Sequence, residues 1–208
     1  MRTLRISLLL SLFTLYLPIA PAQNTSSTPA ATLPGGVVLP NTGTVFAVVY
    51  KGSDPEPVQL HPSEASVNGH AAGNFARGLV YMNPHATVEL KGQHSATSLS
   101  DGHDSFFIRI GSSDDVELQR ERIHLIRLDE TENTRVVTRY SQNIFGGQRR
   151  KKFNDIPIAK STVKQSSWLK IMPEKPLPPG EYGIVFMPKD PIASPDVVYD
   201  FNVPSEKN

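Results

Sequence analysis

Two groups of side chains in this chain have the types and spacing for chemistry. The first is Arg149-Arg150-Lys151-Lys152, four successive cations with Phe145 and Phe153 on either side. Such a run can grip phosphate, sulfate or carboxylate groups on a polyanion and release counterions as it does so. The flanking rings can add stacking. A simpler reading is preferred: a solvated turn whose charges keep a sheet edge from pairing with a neighbour. The second group is His85, His94 and His103, which recur every nine residues, with Asp101 and Asp104 close by. Imidazoles repeated along a meander can converge on one metal ion. No H-x-H or H-E-x-x-H pair accompanies them, and all three lie near turn-forming residues, so coincidence is the preferred reading and no metal or other cofactor is expected.

Most familiar catalytic devices are missing. The chain has 0 Cys, which removes thiolate nucleophiles, thiolate zinc sites and disulfides together. The nucleophile elbow G-x-S-x-G, the phosphate loop G-x-x-x-x-G-K-[ST] and the dinucleotide loop G-x-G-x-x-G do not occur. Asp114 and Asp115 are adjacent, so on a strand they would face opposite ways. No catalytic residue is assigned. A hydrolase with an unrecognised site stays open as an alternative.

These groups need a scaffold, and the pattern of the chain points to strands. The 14 Gly and 18 Pro are spread along 208 residues and leave few windows for a three-turn helix. From residue 44 onward, short apolar runs alternate with turn clusters, which predicts an all-β, antiparallel sandwich or barrel. Strands are expected at Val45 to Tyr50, Leu79 to Met82, Ala86 to Lys91, Ser105 to Ile110, Trp168 to Met172, Glu181 to Met187 and Val197 to Val203. The Pro-rich stretch Ser53 to Pro62 is expected as an edge or loop. Tyr182, Ile184 and Phe186 share one face, as do Val197, Tyr199, Phe201 and Val203, with Asp200 and Asn202 expected to face water. Trp168 is expected to cover a sheet end. Arg122 to Leu128 and Thr134 to Tyr140, joined by a polar link, fit a hairpin, although 115–128 also carries a helical spacing of Val116, Gln119, Ile123 and Ile126.

The N-terminus reads differently. Arg2 and Arg5, the apolar run Ile6 to Leu17 and the small residues Ala20-Pro21-Ala22 make a secretory leader over residues 1–22. Its apolar run falls well short of the roughly 20 residues a spanning helix needs, so no transmembrane segment is expected in the mature chain. Removing Arg2 and Arg5 leaves 19 basic and 20 acidic residues, too balanced for a dedicated nucleic-acid binder. Residues 23–43 are rich in Ser, Thr, Pro and Gly and read as a disordered tether. Leu39-Pro40-Asn41-Thr42-Gly43 within it matches a wall-anchoring pattern, at the wrong end of the chain for that use. The β domain is then 44–204, readable as N-terminal strands 44–100 plus a core 105–204, with a tail at 205–208.

Leu177-Pro178-Pro179-Gly180-Glu181-Tyr182 is the most informative local pattern. Pro and Gly force a tight approach, while the Tyr ring can fold onto the core and return its hydroxyl to the backbone. This turn resembles the strand entry of bacterial immunoglobulin-like sandwiches. With Phe106 to Ile110, Ile123 to Leu128, Arg135-Val136-Val137, Asn143 to Gly147 and the closing Tyr199-Asp200-Phe201, residues 45–203 look like a group of uncharacterised exported proteins of acidobacterial type. The resemblance implies an immunoglobulin-like fold and export to the periplasm or beyond, and transfers no functional residue. The expected role is therefore a non-catalytic envelope or extracellular module that meets a protein or glycan partner. The alternative is a polyanion binder acting through Arg149, Arg150, Lys151 and Lys152. Mass spectrometry of the protein recovered from its host's exported fraction should find an N-terminus at Gln23, and a retained residue 1–22 segment would overturn the leader assignment.

Overall fold

The structure is a computed structural model that describes residues 32–33, 36–39, 44–69, 85–100, 102, 104–110, 116–142, 148–150, 153–163, 167–190 and 193–205. Its strands are β1 (Val45–Lys51), β2 (Asp54–Leu60), β3 (Pro62–Glu64), β4 (Ser66–Gly69), β5 (His85–Lys91), β6 (Ser105–Arg109), β7 (Ile123–Arg127) and β8 (Asp129–Glu130). They continue with β9 (Thr134–Gln142), β10 (Gln148–Arg150), β11 (Asp155–Ile156), β12 (Ile158–Thr162), β13 (Trp168–Pro173), β14 (Gly180–Phe186) and β15 (Val197–Val203). A single short helix, α1 (Val116–Glu121), precedes β7 among the described residues.

The named strands form three sheets with antiparallel pairing throughout. The first has the order β12-β13-β6-β1-β2, the middle one β11-β7-β14-β15-β3, and the third β10-β9-β5-β4 with β8 also on β9. β1 pairs with β6, β3 with β15 and β5 with β9, so strands from either side of residue 100 share every sheet. β2, with Pro55 and Pro57, lies at an edge, as proline's missing donor requires.

Burial explains the stacking. Val45, Ala47, Phe106, Ile108, Leu169 and Ile171 of the first sheet meet Ile123, Leu125, Tyr182, Ile184 and Phe201 of the middle sheet in the largest core. The alternate residues of the middle sheet, Ile126, Val185 and Val198, meet Val88, Leu90, Val137 and Tyr140 of the third sheet in another. The middle sheet is thus apolar on both faces, which short runs such as Ile123–Leu128 and Ile184-Val185-Phe186 supply. Gly183 lies where a Cβ would sit 2.5 Å from the Val198 side chain, so the absence of a side chain there permits the close packing.

Four expectations are corrected. First, Asp200 does not face water: it is 4% exposed, because a third sheet covers the side that alternation alone assigns to solvent. Second, the strands at 122–128 and 134–140 are not hairpin partners, since β7 lies in the middle sheet and β9 in the third. The chain changes sheets after Arg127, and the short β8 makes the hairpin with β9, closed by Thr131 and Thr134. Third, Trp168 does not cap a sheet end. It lies on the outer face of the first sheet, edge-on to Phe46 at 5.7 Å and beneath Arg109 at 4.9 Å. Fourth, part of the expected tether packs: Leu33, Val37 and Leu39 are buried on Phe46, Val48, Phe107 and Trp168. Three aliphatic side chains on an apolar face suffice without any aromatic residue. A small turn holds them, with the Leu33 amide donating to the Val37 carbonyl at 2.7 Å. The expected strand Leu79 to Met82, the leader and most of the tether lie outside the described residues.

The helical spacing at 115–128 resolves into one and a half turns of helix followed by β7. Lys160 of β12 ties that helix down, donating to the Arg120 and Ile123 carbonyls at 2.7 Å each. Burial first, and then the Arg120 charge, holds its amine below the ordinary lysine range.

The Pro-Gly-Glu-Tyr turn behaves as its residues suggest. Gly180 takes a φ of 150°, and the Tyr182 hydroxyl donates to the Pro178 carbonyl at 2.5 Å. The ring stacks on Phe201 at 5.6 Å, and Arg127 lies over it while donating to the Pro179 carbonyl at 3.1 Å. Burial pushes the phenol above its usual ionisation range, with Arg127 opposing in part. Tyr182→Phe should cost about 0.5–1.5 kcal/mol at neutral pH by loss of this bond. The unfolded phenol ionises near 10, below the folded one. The folded state therefore keeps a proton that the unfolded state has lost, and this contribution falls as pH rises through the raised folded value. Urea melts at rising pH should show the wild-type advantage over Tyr182→Phe shrinking above about pH 10. A constant difference would remove the assignment.

Candidate functional site

The outer face of the first sheet holds a large concavity. Residues facing away from the core on neighbouring strands come into rows through the register. Phe46 of β1 pairs with Phe107 of β6, Phe107 with Lys170 of β13, and Lys170 with Ser161 of β12. One step along, Val48 pairs with Ser105. Leu33, Val37 and Leu39 cover one end of this face, and among the described residues the rest is open. The result is a cleft of about 770 Å³ with Val48, Phe107, Leu33 and Val37 as its apolar surface and Ser105, Ser161, Thr162 and Lys170 as its polar one. Tyr50, 57% exposed, stands at its lip. That volume falls within the range of small-molecule sites, about 300–1,000 Å³.

Lys170 is the one cation among the described lining residues, and no carboxylate is among them. Its ammonium lies 5.9 Å from the centre of the Phe107 ring, so the aromatic face supplies part of the negative potential that a carboxylate would.

A second polar constellation lies between the middle and third sheets. Arg135 of β9 projects onto the middle sheet, where its Nη1 donates to Asp200 and lies 3.4 Å from Glu181 Oε2. Its remaining donors go to the carbonyls of Gly92 and Lys91, each at 3.1 Å. Glu181 also accepts from the Ser95 amide at 2.9 Å and contacts His94 Nδ1 at 3.1 Å, while Asp200 accepts from the Ser63 hydroxyl. Arg135, Glu181 and Asp200 are 3%, 2% and 4% exposed, so the group is closed to any ligand and acts as a fastener between sheets.

The residues singled out by sequence are dispersed. Arg149 and Arg150 have their backbone in β10, at the edge of the third sheet, while Lys151 and Lys152 lie outside the described residues. His85 begins β5, His94 is exposed beside Glu181, and His103 lies outside the described residues. Among the described residues no group of three metal-ligating side chains comes together. His124 contacts Asp155 at 3.2 Å, and among the described residues neither it nor His94 is hydrogen-bonded to a hydroxyl. Sequence reasoning missed Lys170, Ser105, Phe107 and Ser161, which only strand register brings together. It also missed Arg135, whose one local sign is a guanidinium set directly before the apolar pair Val136-Val137.

Comparison with protein-family models, with curated proteins and with solved structures finds no match to this chain.

Truncating Arg135 leaves two enclosed carboxylates without their cation. Arg135→Met should therefore destabilise the protein by about 3–5 kcal/mol. Adding Asp200→Leu and Glu181→Leu to it should recover most of that loss, because the uncompensated charges go as well. Chemical denaturation of the single and triple variants checks this, and equal stability of Arg135→Met and wild type would refute the fastener role.

Proposed function

We propose that this protein is an exported, non-catalytic binding module of immunoglobulin-like type whose ligand face is the outer face of its first sheet. The cleft beside residues 33–39 carries the proposal: it combines a mainly apolar floor with a few polar groups, which is the usual composition of a small-molecule site. The immunoglobulin-like assignment draws support from the first and middle sheets, which face each other across one apolar core. The Tyr182 hydroxyl, bonded back to the backbone at the turn into β14, adds to it. The third sheet is then an addition to that sandwich. Export rests on the leader pattern at residues 1–22. No helix among the described residues is long and apolar enough to cross a membrane.

The proposal makes the cleft separable from the core. Ser161 is an exposed residue on an edge strand, so Ser161→Phe can fill the cleft without repacking the interior. Protein purified without detergent from its host's exported fraction should carry a non-covalent adduct in native mass spectrometry. Ser161→Phe, with unchanged thermal stability, should lose it. Bare protein in both samples, or the same adduct in both, would sink the reading.

A further inference from the structure

The cleft has a polarity that narrows its ligand. Resting on the binding-face reading above, we infer that it holds a single-chain anionic amphiphile, with the acidic head on Lys170 and the hydrocarbon tail along Phe107, Val48 and the 33–39 turn.

Charge gives the first argument. Lys170 is half-buried, its ammonium lies beside the Phe107 ring, and among the described residues it forms no ion pair. An ammonium beside an apolar floor, with no carboxylate among the described lining residues, favours an anion over a neutral or cationic ligand. The Ser161 hydroxyl, on the residue directly across from Lys170, can donate to the same head group.

Direction gives the second. The lining residues Val48 of β1, Phe107 of β6, Lys170 of β13 and Ser161 of β12 cross four strands, so the row extends about 14 Å at the usual strand spacing. Its β12 end is cationic and hydroxyl-bearing, and its β1 end is aromatic and roofed by Leu33 and Val37. A ligand lying along the row must be acidic at one end and apolar along the rest. A glycan fits poorly, because the roofed end offers side chains of Leu, Val and Phe where sugar hydroxyls would need partners.

The chain carries its own reporter. Trp168 is its single tryptophan and lies on this same face, two residues before Lys170. Energy transfer from Trp168 to 11-(dansylamino)undecanoic acid should rise on binding and be reversed by dodecanoate. Dodecanol should compete at least about tenfold more weakly, the factor that corresponds to 1.4 kcal/mol. Lys170→Met should abolish the preference for acid over alcohol, and Lys170→Arg should keep it. Ser161→Phe should block the probe, with circular dichroism confirming that each variant is folded.

Equal competition by dodecanol and dodecanoate, unaffected by Lys170→Met, would overturn the anionic assignment while leaving an apolar binding face in place. No probe binding at all would overturn the amphiphile, and the native adduct measurement would then judge the binding face separately. Sedimentation with phosphatidylglycerol vesicles but no binding of free dodecanoate would replace the free amphiphile with a membrane surface and overturn the inference as stated.

Discussion

The arrangement depends on the middle sheet being covered on both faces. A two-sheet sandwich leaves each sheet one face for water, so its strands alternate apolar and polar residues. Here β14 and β15 have the first sheet on one side and the third on the other, and any charge they carry is enclosed. Glu181 and Asp200 are such charges, and Arg135 reaches across from β9 to meet them. An apolar replacement could bind the sheets as firmly. What the ionic group adds is alignment: the guanidinium meets both carboxylates and the carbonyls of Lys91 and Gly92 only in one placement of β9 over the middle sheet.

The first sheet is handled less completely. Its outer face carries Phe46, Val48, Phe107 and Trp168, a stripe too apolar to leave wholly in water. Among the described residues nothing equivalent to the third sheet covers it. The 33–39 turn covers one end with three side chains, and the remainder forms the cleft. A face that is partly roofed and partly open has both dry surface and access, which a fully covered or fully exposed sheet lacks. The binding proposal rests on this half-measure.

Much of the fold was legible because it obeys local rules. Val197 to Val203 was expected and found as β15 with the same limits, since β-branched and aromatic residues alternate there between turn residues. Phe106, Ile108, Leu169 and Ile171 face the core as their spacing requires. Tyr182 was legible in more detail, because Pro, Gly and Tyr within six residues leave the hydroxyl few other places to go. What failed was anything requiring knowledge of a third layer. Asp200 has the same local pattern whether water or another sheet lies beyond it, and the 122–128 and 134–140 strands look like hairpin partners until the chain is seen to change sheets at Leu128. The cleft was illegible for a related reason. Val48, Ser105, Phe107, Ser161 and Lys170 lie on β1, β6, β12 and β13, and no window of sequence contains them together.

The cleft and the ionic fastener lie on opposite sides of the main core, with the first sheet and the Phe106, Phe201 and Tyr182 ring cluster between them. They share no side chain. Energetic effects at sites that are well separated and have no common partner add nearly independently. The residues facing the cleft can therefore vary with the ligand while the enclosed charges hold the layers in place. This division also fits a chain with 0 Cys. With no disulfide to limit the unfolded ensemble, its stability comes from packing while the buried ionic group aligns the layers, and substitutions on the open half of the outer face leave both untouched.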